Sequence, residues 1–481
     1  MTAGCFIGID QGSSSTKVLA LGVDGQVLYQ TRKELPPPVR EDLRVEQDPR
    51  EILASVEEAL SDTLQTLAGK PVLGIGLSCQ RSSCLLWNEA TGEPLSPVLS
   101  WRDTRGIEFL EQLAARKDLI FKATGLPLTP YYSATKFRWL RKNLPAASAS
   151  GAVFGTLSSF LTQRLTGAGK ALIDHTSAAR TQLVNIRSLS WDPELLSLFE
   201  LDGIRLPEIV PTVFKFGTVP AAGAPLLACI GDQQAAMVGL GVLEKGDGGI
   251  NYGTGGFLMV NTGADLVPAP GLMASVHYST EQTRTFLIEG SVNAVGDALE
   301  WLRGRFGLFK EYPEVDDLCW KAVDDVVAFV ALNGTGAPHW EPDISSALHG
   351  LTAESRPADI VRATVEGIAF FMKDIGEAIR SAGIEPRSFV AAGGLSAVTY
   401  LVQLQADLLK SKIRTSAVQD ASAFGAALLA GLQQGAWTMA DIRKMTALGE
   451  DVVGEDNPGA TRRYRRWKEL HGMTAGLDRV K

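Results

Sequence analysis

The chain has 481 residues, with 45% hydrophobic residues, 21% charged residues and a formal net charge of −8. That length is too great for one compact core and predicts two large domains, while the negative balance argues against non-specific binding to nucleic acid or a membrane surface. Five cysteines (Cys5, Cys79, Cys84, Cys229, Cys319) are scattered without metal-ligand spacing, which favours a reducing compartment. There is no cationic, apolar leader and no run long enough to span a bilayer, so the expectation is a cytoplasmic enzyme or binding protein.

In chain order, Cys5-Phe6-Ile7 leads into Gly8-Ile9-Asp10-Gln11-Gly12-Ser13-Ser14-Ser15-Thr16-Lys17, and Val18-Leu19-Ala20-Leu21 leads out. This predicts strand, tight polar turn, strand. Glycine lets the backbone bend and approach a ligand, and consecutive hydroxyls with their N–H groups suit an anion. A hairpin turn that only faces water reads equally well from this stretch alone. Asp24-Gly25 predicts a second hairpin turn, and Pro36-Pro37-Pro38 closes the third strand. Asp48-Pro49 opens a helix as N-cap and first-turn proline, with Leu53, Val56, Leu60, Leu64 and Leu67 on one face. Residues 72–77 form a buried strand, and 83–87 and 97–101 add two short ones. From about 104 to 225 the pattern is mostly helical and loop-rich.

The same grammar restarts further on. Leu226 to Ile230 is an apolar run ending at Gly231-Asp232, with a helix over 233–240. Gly249 to Tyr252 enters the turn Gly253-Thr254-Gly255-Gly256, and Phe257 to Asn261 leaves it. A third instance, Phe389 to Ser396, ends a strand and opens a helix at the pair Gly393-Gly394. Long helices are expected over 357–382, closed by Gly383, and over 397–411. Phe424 to Gly431 is a small-residue helix suited to tight packing, and 461–481 reads as a charged surface helix.

No Walker-type loop and no G-x-G-x-x-G after a strand is present. Three separate glycine/hydroxyl turns remain, near residues 12, 254 and 394, and phosphoryl transfer needs such distributed donors because positioning and charge stabilisation dominate it. Asp232, at a strand end and a helix start, is the leading general-base candidate, with a plain helix cap as the alternative use. Gln80-Arg81-Ser82-Ser83 could hydrogen-bond a polyhydroxylated ligand or form a surface turn. Trp101 and Tyr131 could flank a carbon chain or belong to the core. The five histidines show no metal pattern and read as structural.

At these positions the sequence resembles the FGGY family of carbohydrate kinases, and within it the glycerol kinase branch. Tyr131 to Leu140 is similar to the family's first signature and Gly393 to Leu408 to its second. Gly231-Asp232-Gln233-Gln234-Ala235-Ala236, Asn251 to Gly255, Glu289-Gly290-Ser291-Val292 and Gly336-Ala337-Pro338-His339-Trp340 follow in the family's order and spacing. The resemblance implies an α/β, two-lobed actin/hexokinase-like (ribonuclease H-like) fold, with a mixed sheet in each lobe and an interlobe cleft. Residues 1–246 would form an N-terminal lobe holding acceptor and base, and 247–481 a C-terminal lobe holding nucleotide. It implies transfer of the ATP γ-phosphate to a small polyol or sugar, with ATP and Mg2+ as cofactors.

By motif match, Asp232 takes the catalytic-base position and Asp10 the place near Mg2+, through water. Arg81, Ser82, Trp101, Tyr131, Asp232, Gln233 and Phe257 fall on the acceptor pocket. Gly12, Ser13, Ser14, Lys17, Gly253, Thr254, Gly296, Glu300 and Gly394 fall on the ATP site. The chain departs from the branch at Ser82, where a glutamate is usual, at Glu300, where glutamine is usual, and at Val398, where asparagine is usual. Ser14 and Lys17 replace threonine and arginine. A pentulose kinase is the alternative within the family, and a non-catalytic nucleotide sensor the alternative outside enzymes. No nucleic-acid or membrane partner is expected, and homodimer and homotetramer both stay open.

Overall fold

The computed structural model describes residues 4–332, 334–446 and 449–478. Two mixed sheets organise the chain. The first comprises β1 (Cys5–Gln11), β2 (Ser15–Gly22), β3 (Val27–Glu34), β4 (Val72–Cys79), β5 (Val213–Val219) and β6 (Ala224–Gly231), in the order β5-β6-β4-β1-β2-β3. The β1–β2 and β2–β3 pairs are antiparallel, whereas β1–β4 and β4–β6 are parallel. The second comprises β7 (Asp247–Tyr252), β8 (Gly256–Gly263), β9 (Met273–Ser279), β10 (Arg284–Val292), β11 (Ser388–Ala392), β12 (Lys412–Thr415) and β13 (Asp451–Val452), in the order β9-β10-β8-β7-β11-β12-β13. Each sheet therefore starts with an antiparallel hairpin whose turn is one of the glycine/hydroxyl stretches. Each first strand also pairs in parallel with a later one, β4 or β11.

Side-chain alternation gives the first sheet two covered faces. Ile7, Ile9, Val18, Ile75 and Leu77 face α1 (Pro49–Thr66) through Ile52, Val56 and Leu60. Phe6, Leu19, Leu21 and Leu227 point the other way. The helices that position the site are α2 (Asp232–Gly239), α3 (Gly296–Trp301), α4 (Pro357–Ser381), α5 (Thr399–Leu409), α6 (Ala421–Gln433) and α7 (Pro458–Asp478). The second face of the first sheet is covered by α6, through Ala426, Ala427 and Leu428, although that helix lies near the far end of the chain. Gly8 and Gly76 permit this approach, because a Cβ on either would strike the carbonyl of Ala423 or Ala426.

The second sheet is covered by α4 on one face, where Ile375 fills the space left by Gly290. On the other face, Met237 of α2 packs among Val242, Met259 and Leu287. So α2 lies on the second sheet, α6 lies on the first, and the two helices meet: Gly425 faces the Ala235 carbonyl and Gly239 the Ala421 carbonyl. This small-residue pair joins the two halves.

The α1 opening is as expected from Asp48, whose carboxylate accepts from the Arg50 N–H at 2.8 Å. The strand expected over 97–101 is confined to Val98–Leu99, part of a smaller five-stranded sheet with Val39–Glu41, Arg44–Gln47, Cys84–Asn88 and Ala152–Thr156. The C-terminal helix differs from the expectation of a surface element. Trp467 is fully buried against Phe329, Phe370 and Phe371, with ring centroids 5.5, 5.9 and 4.8 Å away, so the charged composition hides one docking stripe. Residues 479–481 of that expectation lie outside the described residues. All five cysteines are buried and unpaired. Among the described residues no helix is long and apolar enough to cross a membrane.

Candidate active site

The turn between β1 and β2 has its carbonyls tied inward. The Gly12 oxygen accepts from Gln11 Nε2 at 2.6 Å, the Ser13 oxygen from Gln47 Nε2 at 3.0 Å, the Ser14 oxygen from the Leu35 N–H at 2.9 Å and the Ser15 oxygen from the Gly12 N–H at 3.0 Å. With carbonyl dipoles held away, the hydroxyls of Ser13 and Ser14 stand at the accessible face. Asp10 is the last residue but one of β1 and accepts from Ser78 Oγ at 2.9 Å. Burial, then the like charge of Asp232, pushes its carboxyl up to about 6. Lys17 lies opposite Asp10 in the β1–β2 register and pairs with Asp420 at 2.6 Å, just before α6. The two carboxylates Asp10 and Asp232 therefore bias each other, which is the situation a divalent cation relieves.

Asp232 begins α2, with Gly231 as the cap. Its Oδ1 accepts from the Gln233 N–H at 2.7 Å and lies 3.5 Å from Arg81 Nε. Burial raises its pKa, and Arg81 opposes that rise. Arg81 follows β4 in a tight turn where Ser82 holds a φ of 64°, a strained value for a residue with a Cβ. Ser133 Oγ donates to the Ser82 carbonyl at 3.2 Å, and Ser82 Oγ donates to the Arg180 carbonyl at 3.3 Å. On its far side Arg81 Nη1 is 3.5 Å from Glu289 Oε2, and Glu289 is also ion-paired with Arg180.

The Gly12–Ser15 turn and this region are linked through side chains. Gln80 Nε2 donates to Gln11 Oε1 at 3.1 Å, Ser83 Oγ to Gln80 Oε1 at 2.9 Å, and the Trp101 N–H to Ser83 Oγ at 2.9 Å. Trp101 and Tyr131 are held together from behind. The fully buried Lys136 donates to the Tyr131 carbonyl at 2.7 Å and to the Trp101 carbonyl at 3.5 Å, and burial lowers its pKa to about 8. Tyr131 itself is half exposed, Trp101 less so. Phe257 sits on β8 across from Ser291 and packs at the edge of the Met237 cluster.

The second turn is tied by backbone. The Gly253 oxygen accepts from the Gly296 N–H at 2.9 Å, and the Thr254 oxygen from the Val295 and Asp297 N–H groups at 3.0 and 3.2 Å. Gly393 packs against it with φ of 91°, where a Cβ would meet Asn251 Oδ1 at 2.8 Å. Gly394 next to it is exposed, with open space over its α-carbon. Glu300, one turn along α3 from Gly296, and Val398 have their side chains engaged elsewhere. Glu300 forks with Arg303 at 2.9 and 3.0 Å and accepts from the Tyr312 hydroxyl at 3.2 Å. Val398 is 5% exposed and belongs to the second lobe's core.

The structure thus gathers Asp10, Lys17 and the serine turn in one place, Arg81, Ser82, Gln233 and Asp232 in another, and Gly253, Thr254, Gly296 and Gly394 in a third. Sequence reasoning did not single out Ser78, Lys136, Arg180, Glu289 or Asp420 as site residues. Glu289 carried a signal: it interrupts the apolar run Phe286-Leu287-Ile288, and a carboxylate buried in a strand needs a cationic partner.

Comparison with known proteins agrees with this architecture. Residues 5–239 match the N-terminal domain of the FGGY family of carbohydrate kinases, and residues 248–433 match its C-terminal domain. Glycerol kinase of Shewanella oneidensis is 35% identical over 447 residues, covering 90% of each chain. Glycerol kinase of Acidiphilium cryptum is 34% identical over 484 residues, covering 96% of this chain and 97% of its own. Among solved structures, Plasmodium falciparum glycerol kinase with ADP superposes with a TM-score of 0.93 at 28% identity, covering 98% of both chains. Xylulose kinase from Rhodospirillum rubrum shares the fold with a TM-score of 0.89 at 22% identity, covering 98% of this chain and 99% of its own. With both domains matched in order along one chain, this protein belongs to the FGGY family of carbohydrate kinases.

Proposed function

We propose that the protein transfers the γ-phosphoryl group of ATP to a hydroxyl of a small polyol or sugar, with Asp232 as general base. The observation that carries the reading is the setting of Asp232. It is a carboxylate at the first turn of α2, hydrogen-bonded to one N–H and faced but not forked by Arg81. Such a group keeps an oxygen for an incoming proton, and the burial that raises its pKa makes it the stronger proton acceptor. As the acceptor oxygen bonds to the γ-phosphorus, the bond from that phosphorus to the β,γ-bridging oxygen breaks. The hydroxyl proton passes to Asp232, and ADP leaves with the bridging oxygen.

Arg81 and Gln233 would hold the other acceptor hydroxyls, while Trp101, Tyr131 and Phe257 would pack against its carbons. The Gly12–Ser14 turn with Lys17, and the Gly253–Thr254 turn with Gly296 and Gly394, would take the phosphates and nucleoside from opposite sides. Asp10 fits Mg2+ through water, since its carboxylate feels the like charge of Asp232, which Lys17 offsets only in part. When bound there, Mg2+ would screen phosphate charge. The 28% identical Plasmodium falciparum enzyme solved with ADP supports the choice of nucleotide.

The test is an ADP-release screen over glycerol, tetritols, pentitols and ketopentoses, followed by Asp232→Asn with the best acceptor. The variant is expected to bind ATP normally and to lose roughly 10²–10⁴ in kcat. Near-normal turnover would remove Asp232 from the mechanism, and no ADP release with any acceptor would favour a nucleotide sensor. A ketopentose turned over far better than glycerol would move the protein to the pentulose kinases.

A further inference from the structure

We propose that Glu289 is a positioning residue of the acceptor site, contributed by the second lobe, which shares Arg81 with Asp232 and so keeps Asp232 from being locked in an ion pair. This deepens the reading of Asp232 as base and rests on it. Glu289 lies in the middle of β10 and is fully buried. Its Oε1 accepts from Ser275 Oγ at 2.7 Å and is paired with Arg180, while its Oε2 faces Arg81 Nη1 at 3.5 Å. Arg81 Nε in turn faces Asp232 Oδ1 at 3.5 Å.

The four groups form an alternating row, Arg180, Glu289, Arg81, Asp232, that crosses from the first lobe to the second and back. Two cations and two anions balance, so none has to give up its charge to stay buried. Both contacts of Arg81 are longer than the 2.7–2.9 Å of a tight charge-assisted bond. The guanidinium is therefore suspended between two carboxylates. Without Glu289, Arg81 has one anionic partner left and would fork onto Asp232, occupying the oxygens that must receive the acceptor proton and making the carboxylate a weaker base.

Other groups face Asp232 from each side: Asp10 near the end of β1, the buried thiol of Cys79 at the end of β4, Arg180 beyond the helix His175–Ala179, and the Gln233 N–H on its own helix. Burial favours a proton on Asp232, and Arg81 and then Arg180 oppose it. Moving Arg81 is therefore enough to move the titration of Asp232.

The test is the pH profile of kcat/KM for the best acceptor, whose acidic limb reports the free enzyme's base. In Glu289→Gln the limb is expected to move to lower pH by roughly one unit, the lower end of what a neighbouring charge does. The kcat at neutral pH falls with it, and KM for ATP is unchanged. In Arg180→Gln, Glu289 draws Arg81 away from Asp232 and the limb moves to higher pH. Ser275→Ala, which loses one hydroxyl and is the variant that keeps the fold, moves it the same way by less. Opposite shifts are something a general loosening cannot give. A limb that stays in place in Ser275→Ala and in whichever charge variant folds, or shifts of one sign throughout, would overturn the proposal. An Asp232→Asn enzyme that keeps its rate and its acidic limb would instead sink the underlying assignment of the base.

Discussion

The two hairpin turns that open the two sheets look alike in sequence and are built differently. In Gly12–Ser15 two of the carbonyls are tied by side-chain amides, from Gln11 and Gln47, and two by backbone N–H groups, and charged groups surround the turn: Asp10 before it, Lys17 after it, Asp420 against Lys17. In Gly253–Gly256 the carbonyls are tied by the backbone N–H groups of Val295, Gly296 and Asp297, and the turn itself carries no charge. Side chains tune the first turn, whereas close backbone approach shapes the second. The first should therefore break on loss of charge, the second on added volume.

The largest expected effect is at the first turn. Asp10→Asn should lower kcat by about 10² or more, in the range for losing one preorganised electrostatic group, with the Mg2+ dependence of the rate altered in the same assay. Its effect on stability should have the opposite sign. Because the folded value of Asp10, about 6, lies above its ordinary 3.8, its contribution to stability is full below about pH 4 and is lost as pH rises through 6. Melting curves of the ligand-free proteins should thus show Asp10→Asn above the wild type at pH 7 and level with it near pH 4. A variant that is active, or less stable at pH 7, would contradict the electrostatic description.

A smaller effect is expected at the second turn. A Cβ on Gly296 would lie 2.8 Å from the Gly253 carbonyl oxygen, so Gly296→Ala must shift that turn. KM for ATP should rise roughly tenfold, equivalent to about 1.4 kcal/mol, and the acceptor KM should stay put. An unchanged ATP KM would mean that this turn does not touch nucleotide. The smallest effect is at Glu300, half exposed and forked with Arg303 on its own helical segment. Glu300→Gln should change ATP KM by less than about twofold, as exposed pairs do. A larger change would mean that the Glu300 side chain itself reaches nucleotide and would blur the contrast between charge and backbone.

Much of this was legible in the sequence, for physical reasons. Strand, glycine/hydroxyl turn and strand leave a local signature, so both hairpins, the Asp24-Gly25 turn and the Asp48-Pro49 helix start could be read directly. Asp232 stood at a strand end before a helix, and there it is. Long-range pairings leave no such mark. The row Arg180, Glu289, Arg81, Asp232 is assembled from four separate segments, and only Glu289, a carboxylate directly after the apolar run Phe286-Leu287-Ile288, hinted at it. Lys136 lay within a recognised signature, yet its burial beneath Trp101 and Tyr131 follows from the fold, not from its spacing. The small-residue character of α6 announced tight packing without saying against what, and the polar surface of α7 concealed the stripe around Trp467.

The placement of α6 has a consequence for how the molecule comes into being. Phe6 and Leu19 wait on one face of the first sheet for Ala426, Ala427 and Leu428. A chain leaving the ribosome presents β1 to β6 long before it presents their second cover. The first lobe to be synthesised therefore stays unsealed until residues 421–433 emerge, after most of the second lobe, and until then its apolar face must be held by something other than its own helix.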